Sequence, residues 1–571
     1  LDIYQTATTH DWQDEVMGET PVSYSTNVNI GGGSEKLHFN TSLTNSEDNG
    51  IIMGSSVRRT NLNIKFEVLL SDKLTLRLNP KFSYRRDTGA GGESIGSGGI
   101  IDALQYRPTN GLREFAFWDP STVDPDEEAN FQYTNPKNDI QTNTQKRHSY
   151  DIINQAALEW RPIKGLVLET NFSYRMYFTD QNRFYGPLTK IGTSNNKLPV
   201  AQITNTHREA YTWTNTANYN FTLNNDHNFS ALLGSEIQSD QTKTTYQANR
   251  YFPREISSDK ALNNMTLGTP YSSTSELTTP IRQASFFGQL SWNYKHRYLA
   301  AATMRADGST KFAPGNQWGY FPSLSAAWSV TEEPWMKSVK WLNLLKIRAS
   351  WGLTGNNRID NDMWRYLYSV STSGGPGFGE TTPNGEQYYS FGNGNKFTNE
   401  KIKWETNIKR NLAADISMFD GRLNITPEFY WNTTKDLLYL SDVPTTSGYT
   451  TQMRNIGKVS NRGAELSVNY DILRGSDYVL SANMTFGYNK FKVDKLNETD
   501  NMIWDNNNRW SSSNSVSTND YCIQVGEEVG LLYGYVYDGL YSADEFDFDP
   551  NQNFLAVPKK GTVIMDGIFN D

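Results

Sequence analysis

SFFGQLSWNYKHRYLAAATMRADGSTKFAPGNQWGYFPSLSAAWSVTEEPWMKSVKWLNLLKIRASWGLTGN, residues 285–356, decides how the rest of the chain is read. Ala284, Phe286, Gly288, Leu290, Trp292 and Tyr294 are apolar or aromatic, and Gln283, Ser285, Gln289, Ser291 and Asn293 between them are polar. A period of two with unlike faces predicts a strand. The Lys295-His296-Arg297 turn returns the chain into a second strand, a Gly/Pro/Asn loop follows, and Pro322, Leu324, Ala326, Trp328 and Val330 mark one face of a third. Residues 331–340 break the alternation before Leu345, Ile347, Ala349 and Trp351 restore it.

The same unit recurs in both directions. Leu62, Ile64, Phe66 and Val68 alternate with Asn61, Asn63, Lys65 and Glu67; beyond Ser71-Asp72, Leu74, Leu76, Leu78, Phe82 and Tyr84 alternate with Thr75, Arg77, Asn79, Lys81 and Ser83. Such regular polar placement keeps one face wet. Further hairpins are predicted at 22–43, 152–178, 211–237, 412–431 and 464–488, giving about sixteen strands, many far longer than the mode of about 5 to 6 residues in soluble proteins.

Connections alternate as well. One set is short (71–72, 161–164, 224–226, 295–297, 420–421, 474–477), and the other is long and rich in Gly, Asn, Thr and Tyr (87–147, 180–203, 243–279, 355–401, 436–453 and 495 onward). Long structureless loops are uncommon in compact soluble domains, whereas short turns on one side and long loops on the other are typical of bacterial outer-membrane barrels. No run approaches the roughly 18 to 20 apolar residues of a spanning helix, and in hydrocarbon only helices or closed sheets satisfy their own backbone. The expected fold is therefore all-β, a transmembrane antiparallel β-barrel. Tyr84, Trp160, Phe178, Tyr294, Trp328, Trp431 and Tyr488 stand near strand ends, where interfacial aromatic girdles lie.

Composition agrees with this reading. Among 571 residues only 37% are hydrophobic, yet 13% are aromatic, which separates the chain from disordered polar sequences. The net charge of −9 is not gathered into a basic stripe, so nucleic acid is not the expected partner. Cys522 is the single cysteine, which excludes a disulfide framework.

Arg305-Ala306-Asp307-Gly308-Ser309-Thr310-Lys311-Phe312, Trp318-Gly319-Tyr320-Phe321-Pro322-Ser323 and Ala327-Trp328 resemble the SusC/RagA-type TonB-dependent transporters of Bacteroidetes. So, in the same order, do Asp11-Trp12-Gln13-Asp14, Lys403-Trp404-Glu405-Thr406, Thr434-Lys435-Asp436-Leu437-Leu438, Asn461-Arg462-Gly463-Ala464-Glu465-Leu466 and Gly526-Glu527-Glu528-Val529-Gly530 with Tyr533-Gly534-Tyr535. The resemblance implies a barrel of about 22 strands. The about sixteen read here leave about six expected beyond Asp571, and no plug domain is expected within the chain. Residues 1–20 are expected to lead from plug to barrel, and 21–571 to form a barrel portion with long extracellular loops. The implied function is TonB-dependent active import of oligosaccharides or oligopeptides across the bacterial outer membrane. A SusD-like surface lipoprotein and the TonB-ExbB-ExbD complex are the implied partners. A passive porin and a ligand-binding outer-membrane barrel stay open as alternatives.

No catalytic set can be placed, and no enzyme is expected. Gly92-Glu93-Ser94-Ile95-Gly96 fits the spacing of a nucleophile elbow but lies in a Gly/Ser-rich loop instead of a strand-to-helix turn. The six histidines share no metal-ligand spacing. Asp544, Asp547 and Asp549 form a weak Ca²⁺ candidate, for which a solvated acidic loop is the simpler account. Loop aromatics are the candidate substrate-binding residues: Trp118, Tyr133, Tyr185, Tyr251, Trp364, Tyr388, Tyr389, Trp504 and Trp510. Their faces can stack on sugar rings or peptide side chains, while Asn and Thr around them supply uncharged donors and acceptors. Packing within the loops is the alternative for any one of them.

Overall fold

The structure is a computed structural model. It describes residues 9–17, 20–89, 103, 108, 136–365, 368–371, 390–393, 396–496, 502–504, 521–532, 546–549, 555–558, 563–565 and 568–569.

Eighteen strands form one sheet. They are β1 (Tyr24–Gly33), β2 (Leu37–Asn49), β3 (Ser56–Ser71), β4 (Leu74–Leu78), β5 (Lys81–Gly89), β6 (Asn143–Trp160), β7 (Leu166–Tyr185), β8 (Val200–Leu223) and β9 (His227–Arg250). After these come β10 (Thr269–Leu277), β11 (Ile281–Tyr294), β12 (Tyr298–Ser309), β13 (Trp318–Ser329), β14 (Leu342–Asn356), β15 (Glu405–Met418), β16 (Leu423–Lys435), β17 (Lys458–Arg474) and β18 (Val479–Lys495). Each pairs antiparallel with its neighbour in sequence, except where a stave is interrupted. β4 and β5 both lie between β3 and β6, and β10 and β11 both pair with β9. Pro80 and Pro280 stand at these two breaks, where a residue without an N–H cannot continue a ladder. The eighteen strands thus make sixteen staves, in agreement with the hairpin count read from the alternation.

Register keeps the two faces separate from one stave to the next. Phe172 lies opposite Trp213, Trp213 opposite Ile237, and Ile237 opposite Ala284. All three large side chains are exposed on one face, as is Leu233 at 68%. Polar partners such as Thr212 and Gln238 share the other face. A face this apolar and this open is unstable in water and stable against hydrocarbon.

The short connections all lie at one end. At β8–β9 and β11–β12 they are three-residue turns with left-handed backbone at Asn224 and Asn225 and at Lys295 and His296, a twist that suits a tight hairpin. The 330–341 connection shares that end. Ser329 N–H donates to the Arg297 carbonyl at 2.8 Å, and Glu333 accepts from Tyr298 Oη at 2.6 Å and pairs with Arg297 at 3.3 Å. Those hydrogen bonds hold the Glu333 carboxyl, Tyr298 first among them, below the usual carboxylate range. An aromatic belt runs along this end through Phe221, Phe229, Trp292, Tyr294 and Tyr298.

At the other end the strands run further than the sequence pattern suggests. β8 and β9 have 24 residues each, about 80 Å of strand against an apolar band of about 25 Å. Much of what reads as the 180–203 and 243–279 loops is continuous ladder, because β7 extends to Tyr185, β9 to Arg250, and β10 pairs with β9. Thr, Asn and Gln mark wet surface on both faces there, and that composition passes for loop.

The sheet encloses no central apolar core among the described residues. Three small buried clusters stand at the long-connection end instead. One gathers Trp12 and Val16 of α1 (Trp12–Met17) with Ile140 of α2 (Pro136–Thr142), against Ile52 and Met53. Trp12 and Val16 therefore meet the wall at that end. Another gathers Phe184, Ala201, Phe252 and Ala261.

Candidate functional site

Long polar strands place their alternate residues on the face opposite the apolar one, and charge collects there in pairs. Arg175 of β7 holds Asp151 of β6 through two bonds, at 2.8 and 2.7 Å. Arg208 of β8 grips Asp240 of β9, with Nε 2.9 Å from each carboxylate oxygen. Arg305 of β12 bonds Asp307 at 2.7 Å and reaches across β11 to Glu236 at 3.6 Å. Arg348 of β14 makes a two-pronged pair with Asp415 of β15, both bonds at 2.9 Å. Arg77 stands among Glu159, Glu169 at 3.2 Å and Glu67 at 3.5 Å. Arg geometry suits such forks. Apart from the buried Glu159, these groups are half-buried or exposed on a wet face, where such a pair contributes about 0–1 kcal/mol, so the consequence is a polar, charge-balanced inner face more than stability. A cavity of about 880 Å³ opens on this face near its short-turn end, with Ser230, Ser291, Ala301, Ser325, Arg348 and Ser350 among its lining. The alternation of charge in β3 to β5 signals a wet face in the sequence, but pairings such as Arg348 with Asp415 join strands 67 positions apart and leave no local trace.

The mouth is built by the long-connection end. Tyr185 closes β7, opposite Val200, and is 9% exposed; its hydroxyl accepts from Arg183 Nη1 at 3.3 Å. Val200 lies in turn opposite Arg250. Tyr251 follows with left-handed backbone and stays open, and the Arg250 guanidinium lies 4.9 Å from its ring and 4.4 Å from that of Tyr271. Register thus places Tyr185 and Tyr251 at the tops of β7 and β9, with Val200 of β8 between them. Trp364 packs elsewhere on the rim, its Nε1 donating to the Thr310 carbonyl at 3.2 Å and its ring 5.5 Å from the Arg365 guanidinium. Trp118, Tyr133, Tyr388, Tyr389 and Trp510 lie outside the described residues, as do Asp544 and residues 92–96. Trp504 belongs to the short strand Met502–Trp504, and Asp547 and Asp549 to the strand Phe546–Asp549.

Beside Trp364 stands a third buried cluster, which loop composition alone does not reveal. Phe312, Phe321, Ile359, Met363, Ile402 and Trp404 pack together, and Trp404 Nε1 donates to the Gln317 carbonyl at 2.8 Å. Lys311 covers it, donating to the Ile359 carbonyl at 2.8 Å, and burial pushes its ammonium below the usual lysine range. Arg305 to Phe312, one of the stretches that carries the family resemblance, therefore runs from the inner face into the anchor of the mouth.

The chain matches the profile of the family described as TonB dependent receptor-like, β-barrel, over residues 65–566. It is 29% identical to TonB-dependent receptor P39 of Formosa agariphila, covering 96% of this chain and 50% of that protein. To the TonB-dependent receptor SusC of Bacteroides thetaiotaomicron it is 27% identical, with 92% and 53% covered. The chain spans about half the length of the curated relatives it matches. Its fold is similar to that of a RagAB peptide importer structure in the closed-closed state, with a TM-score of 0.76 at 20% identity, over 96% of this chain and 58% of that one.

Proposed function

The chain belongs to the TonB-dependent receptor-like β-barrel family of the bacterial outer membrane, and from that premise we propose that it forms the wall and mouth of an active importer of oligosaccharides or oligopeptides. Residues 21–571 supply the staves and outer connections in this reading, and 1–20 lead into them. Lipid meets the apolar face, and substrate descends along the ion-paired one. A SusD-like lipoprotein covers the mouth, and TonB-ExbB-ExbD, energised from the inner membrane, opens the path by acting on a plug. No catalytic role is proposed for any residue.

The observation that carries the proposal is the sidedness of the sixteen staves: an exposed apolar face, a face of paired charges, and buried clusters that anchor the long-connection end. A polar inner face would also serve a passive porin, so substrate and partner must be found together. Isolation of the protein at its native length from outer membranes, with mass spectrometry of what accompanies it, tests this. A surface lipoprotein together with bound glycan or peptide is the expected result. Isolation without a lipoprotein, in a strain that retains uptake when the neighbouring lipoprotein gene is deleted, would contradict it.

A further inference from the structure

Pairing on the inner face is incomplete in one area. Where β3 and β5 to β9 rise towards the mouth, Arg175 holds Asp151, Arg208 holds Asp240, and Arg85 holds Asp87 at 2.6 Å. Cations are left over. Arg59, Lys81 and Arg250 form no ion pair among the described residues, and Arg147 reaches only Asp87, at 3.9 Å, which Arg85 already holds. Register sets them all on the inner face: Lys81 lies opposite Ile153 and Ile153 opposite Arg175, Arg59 lies opposite Arg85, and Arg147 lies opposite Asp87. Arg250 stands twelve positions above the inner-facing Gln238 on β9. Asp48, at the margin on β2, is the one carboxylate of the area without a cation among the described residues.

Three observations give this surplus a meaning. First, the area lies at the mouth: Arg147 stands thirteen positions above Trp160 on β6, about 43 Å of strand or about 30 Å of height at a tilt of 45°, above an apolar band of about 25 Å. Second, the chain as a whole carries a net charge of −9, so a cationic area is not a by-product of composition. A concave surface lined by one sign of charge raises the local concentration of ligands of the other. Third, Arg147 Nε and Arg250 Nε are buried and have no hydrogen-bond partner among the described residues, a costly state for a charged donor unless a ligand completes it. The Arg250 guanidinium faces the rings of Tyr251 and Tyr271, which bring no negative charge.

Two stave spacings, about 10 Å, separate Arg59 from Arg147, and Arg250 lies three staves beyond and higher. Cations so spread match a ligand with charges along its length better than a single ion. Thr179, Gln181, Thr204 and Thr206 lie between them on the same face, together with Tyr177 and Tyr246. Uncharged donors and acceptors beside aromatic rings suit hydroxyl-rich sugar rings. The side chains of a peptide would need apolar pockets, and the large apolar groups of these strands, such as Phe172 and Trp213, point the other way. We propose that this area selects an acidic oligosaccharide, one bearing carboxylate or sulfate groups, through Arg59, Lys81, Arg147 and Arg250. The proposal deepens the import reading and rests on its account of the inner face as the path of the substrate.

The test compares two pools, in uptake assays and on the native-length protein in mild detergent: mixed carboxylated and sulfated oligosaccharides, and the same pool after carboxyl reduction and desulfation. Cells carrying the gene are expected to take up the acidic pool and not the neutralised one. The protein is expected to retain the acidic pool, and less of it at about 1 M salt. Arg59→Gln and Arg147→Gln should each weaken retention about tenfold, and Arg147→Lys should recover most of it. Lys146→Gln, which removes a neighbouring cation from the opposite face, should leave retention unchanged, with the mobility of unheated protein on gels showing that each variant is folded. Gene-dependent, protonophore-sensitive uptake of the neutralised pool alone would overturn this inference and leave active import standing. Protonophore-resistant uptake of the acidic pool would overturn active import and leave the charge selection standing. Retention of neither pool, equal retention of the two, or preference for an acidic oligopeptide pool would each overturn the proposal. So would an absence of effect in Arg59→Gln and Arg147→Gln, the result if another segment of the native-length protein neutralises these cations. If the variants do not fold, the wild-type comparison of the two pools decides by itself.

Discussion

Glu333 shows how a single residue ties the short-turn end together. It is 6% exposed, accepts from Tyr298 Oη and from Trp328 Nε1 at 3.1 Å, and pairs with Arg297, so one carboxylate joins β12, β13 and the connection that follows. Its folded pKa is depressed, so its contribution is present above the ordinary carboxylate range and is lost as pH falls through the folded value. Glu333→Gln is expected to lower the thermal midpoint at pH 7, and the gap from wild type should close in scans taken at a pH well below the ordinary carboxylate range. An equal gap at both pH values would contradict the assignment. At the mouth, Tyr251 is open and Trp364 is bonded into the rim. Tyr251→Ala should therefore reduce uptake of the native substrate about fivefold with the midpoint unchanged, whereas Trp364→Ala should lower the midpoint as well, both read by transport and melting assays. Loop composition singles out both residues equally. What distinguishes them is a bond from Trp364 to Thr310, 54 positions away, which no local pattern carries.

Single strands carry the face assignment. Leu233 of β9 lies on the lipid side and Gln238 on the inner one, five positions apart. Leu233→Arg should cost about 2–4 kcal/mol in refolding titrations into lipid vesicles, and Gln238→Arg should cost less than about 1. The reverse order would mean that the faces are exchanged. The alternation that supports this was legible throughout, from 285–356 outward, because a period of two is local. The upper halves of β8 and β9 were not, because both of their faces meet water and the apolar signal disappears while the ladder continues. The mouth clusters were equally hidden, since Phe312 meets Ile359, Ile402 and Trp404 only after the intervening strands have paired. Phe312 is fully buried, and Phe312→Ala should cost about 3–5 kcal/mol locally. Limited proteolysis is expected to show new cleavage within 355–401 while the strands stay protected; unchanged cleavage would show that the cluster does not anchor the rim.

Taken as one object, the molecule inverts the plan of a soluble protein. The large apolar side chains of its wall face out, its Arg–carboxylate pairs face in, and the buried clusters among the described residues sit at one rim. That arrangement is stable only with lipid around it, and it leaves a polar surface along which a hydrophilic solute can move. The sequence pattern makes the wall legible, and with it the family. Substrate and partners stay beyond it, because they are set by side chains at the rim whose neighbours come from distant strands. Transport by such a wall can be passive or driven, and energy dependence separates the two. The most direct measurement is accumulation of labelled oligosaccharide and oligopeptide pools by cells carrying or lacking the gene, with and without a protonophore or loss of TonB. Gene-dependent uptake that is abolished by either treatment is the predicted result; gene-dependent uptake that persists in their presence would contradict active import and identify a passive pore.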